Sequence, residues 1–234
     1  MDFTPPWQKI LDGLSVVFIL LATWMVSFYA PLESVMGAVQ KVFYFHIAAG
    51  WVGMLSFFLA FVASILFLVR RKNHWDWLSV CAVEIGLVFM TINILTGMVW
   101  ARPIWNTWWT WDPRLTTASI MVLIYAAYFV LRWGIDQPEK QARFAAVYAL
   151  IGFVSVPLTF ISIRVFRTIH PLVLAGGDSA ASNALEMTVR MRQTLVFGLV
   201  AFTMLFCSFL THRYRLQKAE YRLAQERWNV HNDE

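Results

Sequence analysis

The chain has 234 residues, of which 59% are hydrophobic, 16% aromatic and only 14% charged. That balance excludes a soluble globular domain with a polar surface, and nothing in it calls for a nucleic-acid partner. The formal net charge of +5 says less than the placement of the charges, because Lys and Arg in short loops set membrane orientation.

Apolar runs long enough to cross a hydrocarbon core, roughly 20 residues at about 1.5 Å each, lie near 13–31, 46–69, 79–100, 115–132, 144–164 and 193–211. They predict an all-α integral membrane protein, a bundle of six transmembrane helices forming a single domain over 1–234, with a charged tail at 212–234. The first run, preceded by little charge and followed by further spans, reads as a retained helix and not a cleaved signal. Basic residues crowd three segments: Arg70, Arg71 and Lys72; Arg132, Lys140 and Arg143; and Arg213, Arg215, Lys218, Arg222 and Arg227. The positive-inside rule turns these and both termini toward the cytoplasm, leaving 32–45, 101–114 and 165–192 outside.

Thr4 to Asp12, with Pro5, Pro6 and Trp7, reads as an interfacial lead-in, and the first span as scaffold ending before Pro31. His46 stands at the outer entrance of the second span, followed on its helical face by Ala49, Gly50 and Gly53. Those small residues are either a smooth floor for a flat cofactor or a close-packing face for a second helix. Lys41 is a snorkelling anchor or an anion partner. In the third span Glu84 sits near the cytoplasmic end, within reach of water or a basic loop, and Asn93 is placed for an interhelical hydrogen bond. Cys81 and Cys207 fall in apolar runs and imply neither a disulfide framework nor a metal cluster.

Trp100 to Arg114, W-A-R-P-I-W-N-T-W-W-T-W-D-P-R, carries five of the twelve tryptophans. An exposed indole leaves a large apolar face in water and an N–H in want of a partner, so the stretch reads as an outer loop lying against something flat and apolar. Asp112-Pro113 is a helix start: the carboxylate caps free N–H groups and proline takes the first helical position. Asp112 also has Arg102 and Arg114 within sequence reach, and Arg114 is open to an anionic ligand instead. Pro157 kinks the fifth span. Beyond it, Arg164, Arg167 and His170 come at three-residue spacing before Pro171; Gly176-Gly177-Asp178 marks a turn and 180–191 a short surface helix. The tail, with Tyr214, Leu216, Tyr221 and Leu223 at heptad-like spacing, continues as a cytoplasmic helix, either solvated or docked.

Of five histidines, only His46 and His170 fall on the outer side, together with the tryptophan loop. Imidazole is a common axial ligand of haem iron, and a porphyrin is a flat apolar disc with anionic propionates, suited to aromatic faces beside cations. Zinc needs three or four ligands at spacings this chain lacks, so haem fits better.

With those residues in place, W-N-T-W-W-T-W-D over Trp105 to Asp112 resembles the tryptophan-rich "WWD" signature of haem-handling membrane proteins in cytochrome c maturation. F-Y-F-His46, T-G-x-x-W-A-R-P and R-T-I-His170 look most like the protein C family of that group (CcmC), over roughly residues 35–215. The resemblance implies His46 and His170 as axial ligands of a haem b carried as cargo. It implies a cradle made by Trp100, Trp105, Trp108, Trp109, Trp111 and Asp112, with Lys41, Arg102, Arg114 and Arg167 as candidate propionate partners. Implied partners are a periplasmic haem chaperone, the membrane and ATPase subunits of an ABC transporter and a small membrane subunit. The chain would then deliver haem, a lyase-like component and not an enzyme by itself. A cytochrome b-type electron-transfer subunit and a transmembrane haem transporter are the competing classes. The chain departs from the family at Asn106, where glycine is usual, and at Ala118, near which the family has a glutamate.

Overall fold

The computed structural model describes residues 4–33, 36–166 and 187–232, without the side chains of 163 and 227–232. The described residues are helical without a β-strand; the elements are α1 (Pro6–Trp24), a π-helical turn (Met25–Tyr29), α2 (Gln40–Arg70), α3 (Asn73–Trp105), α4 (Pro113–Trp133), α5 (Pro138–Phe153), α6 (Ser155–Val165) and α7 (Val189–Asn232). With α1 joined to its π turn and α5 to α6, six helices are long and apolar enough to cross a membrane.

The bundle is built on the α2–α3 hairpin. Only Arg71 and Lys72 separate the two helices, and Arg71 takes a left-handed conformation (φ 53°) from which its N–H closes on Phe67 O at 2.8 Å. So short a connection forces antiparallel neighbours. Apolar side chains cannot drive helices together in lipid, so close packing must do it, and close packing needs small residues. At Gly53 an added Cβ would lie 2.5 Å from Met90 Cγ, and at Gly86 2.6 Å from Phe57. Ala49 is fully buried in the same seam. Of the two readings of Ala49, Gly50 and Gly53, helix packing is the one the fold uses.

Around this hairpin, α5 packs on α2, α7 packs on both α2 and α3, α1 on α7, and α4 on α5 and α6. Phe57 of α2 stacks on Tyr125 of α4 with centroids 3.6 Å apart. The α5–α6 break falls at Val154, three residues before Pro157, whose missing N–H and bulky ring interrupt the ladder. Ser155 Oγ donates to Gly152 O at 2.6 Å, satisfying a carbonyl at the break.

One bundle end gathers the charges. Arg132 in the last turn of α4 grips Asp76 in the first turn of α3 through two hydrogen bonds of 2.8 and 2.7 Å. Arg213 of α7 meets Glu84 at 2.6 Å, so of water and a basic loop, the two surroundings expected for that residue, the structure shows a basic partner, on a helix and not a loop. Asp12 accepts from Ser208 at 2.6 Å and lies 2.9 Å from His212. The tail continues α7 without a break and docks: Tyr221 OH accepts from Asn73 Nδ2 at 2.9 Å, and Trp77 packs on Tyr214 and Tyr221.

Candidate functional site

His46 lies at the opposite end, in the second turn of α2, facing α3 across the hairpin. Its Nδ1 is 2.9 Å from Asn93 O and 3.3 Å from Thr96 Oγ1, while Asn93 Nδ2 donates to His46 O at 2.7 Å. The ring packs closely on α3 because residue 97 has no side chain: a Cβ there would come 2.9 Å from His46 Cε1. A carbonyl can only accept, so the 2.9 Å contact is a hydrogen bond in the tautomer that carries its proton on Nδ1 and its lone pair on Nε2. A metal-binding histidine is commonly held in this way, its second nitrogen donating to a backbone carbonyl.

The residues beside His46 tie it to the tryptophans. Phe45 and Ile47 pack on a cluster of Val26, Met36, Phe43, Tyr44, Trp100 and Leu195, joined by Ile104 and Trp105. Here the structure corrects the sequence reading. Trp100 is not in the loop: α3 continues through Pro103 to Trp105, and Trp100 is a core residue, 4% exposed, set edge-on to Trp105 at 4.9 Å. Burial of these indoles holds the helix together past a proline that would end it in water.

The true loop is residues 106–112. It begins at Asn106 with φ 55°, the positive φ that asparagine tolerates where glycine is usual. Arg102 donates to Asn106 O at 2.7 Å and also binds its Oδ1, closing the end of α3. At the far end Asp112 caps α4, its Oδ1 accepting from Leu115 N at 2.8 Å. Arg114 donates to Thr159 O at 2.7 Å and lies over the Phe160 ring, so the start of α4 is pinned to α6. Asp112→Ala is expected to cost about 1 kcal/mol, the usual worth of an N-cap, seen as a lower thermal midpoint; Asp112→Asn retains it.

Between these clamps, Trp108 and Trp111 are 54% and 77% exposed, and Trp109 stands edge-on to Trp111 at 5.5 Å. Trp109 Nε1 and Thr110 Oγ1 are buried without a hydrogen-bond partner among the described residues. Two orphaned donors side by side are unusual, since buried polar groups are nearly always paired. They fit an anionic ligand seated against the loop. Lys41, by contrast, donates a hydrogen bond from Nζ to Ser27 O at 3.3 Å, in the middle of the π turn.

His46, the loop and Arg114 thus come to one bundle end, as do the ends of α1 and α6 and the start of α7. His170 and Arg167 lie outside the described residues, as do Gly176-Gly177-Asp178 and most of 180–191. Sequence reasoning assigned Asn93 a hydrogen bond without finding its partner, and took Thr96 and Gly97 only as the start of the T-G-x-x-W-A-R-P resemblance, with no contact assigned to either. Their spacing three and four residues beyond Asn93, on one helical face, was the available signal.

A family model described as "CcmC: Heme exporter protein C" matches residues 1–229. Among similar curated proteins, heme exporter protein C of Bradyrhizobium diazoefficiens is 31% identical over 204 residues, covering 86% of this chain and 73% of the relative. That of Rhodobacter capsulatus is 32% identical over 197 residues, covering 84% and 80%. That of Escherichia coli K12 is 27% identical over 211 residues, covering 90% and 82%.

Proposed function

The chain belongs to the heme exporter protein C family, and from that premise we propose that it holds haem at the His46 end of its bundle and delivers it to a periplasmic haem chaperone for cytochrome c biogenesis. His46 and His170 are the axial ligands in this reading, His170 by family pattern alone. The observation that carries it is the anchoring of His46: a neutral imidazole whose Nδ1 is committed to Asn93 O offers Nε2 to iron.

The loop supplies the rest of the seat. Trp108 and Trp111 present apolar faces, Trp109 stands edge-on to Trp111, and Trp105 ties the end of α3 to Trp100. Trp109 Nε1 and Thr110 Oγ1 donate to a propionate. Arg102 and Arg114 bind the protein through one guanidinium nitrogen each; a guanidinium has five donors, so both retain N–H groups and positive charge for the same propionates. Lys41, and Arg167 on the family pattern alone, are the further candidate propionate partners. Asp112 acts on the seat indirectly, by capping α4 and fixing the loop's exit. What the protein contributes is ligation and orientation, while the reacting vinyl belongs to haem and the attacking group to the partner. The ABC transporter subunits and the small membrane subunit are assembly partners on the same family pattern.

Both termini face the cytoplasm in this reading, which puts the seat on the periplasmic side. Purified chaperone added to haem-loaded right-side-out vesicles is expected to acquire haem, and added to inverted vesicles to acquire none. Reversed sidedness would contradict the orientation, and no transfer from either preparation would contradict delivery.

A further inference from the structure

We propose that Asn93, Thr96 and Gly97 form a positioning element for His46, fixing its ring plane and its Nδ1–H tautomer so that Nε2 is the nitrogen given to iron. This rests on the haem reading above. The three residues sit on one face of α3, and each constrains the ring differently.

Among the described residues, Nδ1 faces Asn93 O, Thr96 Oγ1 and Asn93 Nδ2. Asn93 O at 2.9 Å is an acceptor only. Thr96 Oγ1 at 3.3 Å is also an acceptor toward the ring, because its own proton goes to the backbone carbonyls of Ile92 and Asn93, 2.7 and 3.1 Å away. Asn93 Nδ2 at 3.2 Å is a donor, but its shorter bond goes to His46 O at 2.7 Å. Two acceptors, one of them the nearest atom, outweigh one donor already engaged. The opposite tautomer would set the Nδ1 lone pair against a carbonyl lone pair at 2.9 Å.

The Asn93 amide has a separate task. By binding His46 O it joins the α2 backbone to α3 at the ligand itself, so the carbonyl that receives the ring proton cannot drift from the ring. Gly97 then sets the plane. With a Cβ at 2.9 Å from Cε1 the ring would have to swing off α3, carrying Nε2 with it. Gly50 repeats the device one turn deeper, where a Cβ would come 2.8 Å from Asn93 Nδ2 and push away the amide.

Two substitutions separate this role from general stability. N93L removes the amide while keeping side-chain bulk and the backbone carbonyl. G97A adds one methyl in a helix, where alanine is favoured over glycine, so any harm it does comes from the ring and not from a weaker helix. The direct readout is the ¹⁵N spectrum of imidazole-labelled apoprotein in lipid nanodiscs, with the His46 signals identified by their loss in H46Q. The wild type is expected to show one Nδ1–H tautomer. N93L is expected to show signals averaged between tautomers, and G97A a shifted but single set. In haem titrations both variants should bind about 10–100-fold more weakly, the usual cost of losing the group that orients a metal ligand. An Nε2–H tautomer in the wild type overturns the proposal, as do variants with unchanged His46 signals and unchanged affinity. A wild type with the Nδ1–H signal that takes up no haem sinks the haem reading and leaves the account of the ring intact.

Discussion

Replacing Arg132 by methionine is expected to lower the stability of the bundle by about 3–5 kcal/mol, because it leaves the Asp76 carboxylate buried and unpaired. The pair is bidentate, and its side chains are 11% and 10% exposed. It joins the first turn of α3 to the last turn of α4, so each charge also complements the dipole of its own helix. The substitution spares the Arg132 carbonyl, which accepts from Gln141 Nε2 at 2.8 Å in the turn to α5. The effect therefore reports the ion pair and not the turn. Thermal unfolding in detergent should show a midpoint lowered by roughly 6–20 °C. A second change, Asp76→Leu in the same chain, is expected to recover most of the loss, since two apolar residues need no mutual compensation. A single variant within about 1 kcal/mol of wild type would mean that water reaches the carboxylate and the pair is not a clamp.

That clamp was invisible in the sequence. Arg132 read as one basic residue among several in a cytoplasmic loop, and Asp76 stands 56 positions away, a separation that no periodicity can bridge. The spans themselves were legible because hydrocarbon demands long apolar runs, and Glu84 found a basic partner, one of the two surroundings its position implied. Helix ends were less legible. The third span was expected to end near residue 100, yet α3 runs on through Pro103 to Trp105, with Trp100 buried in the cluster and Trp105 packed against it. That tertiary contact shortened the tryptophan stretch from an expected platform of fifteen residues to the segment 106–112. Asp112 behaved as its local chemistry required, because capping is decided within four residues. The anchoring of His46 lay between these extremes. The imidazole and Asn93 were each noticed, but only the packing of α2 on α3 puts them in one hydrogen-bonded unit.

The second large effect is at His46 itself. In the proposed reading its removal deletes a bond to iron, not merely a group that orients one, so the loss should exceed the 10–100-fold typical of an orienting partner. Alanine at position 46 leaves the small-residue seam at Gly53 and Gly86 untouched, and the bundle should fold. His170→Ala tests the second ligand, and His74→Ala, at the charged end beside Trp75, serves as the control. The decisive measurement is the absorption spectrum of the purified chain and these three variants. Wild type and His74→Ala are expected to carry haem with a six-coordinate, low-spin spectrum, and His46→Ala and His170→Ala to lose that spectrum with most of the haem. A wild-type chain without haem, or both ligand variants with the wild-type spectrum, would contradict the account.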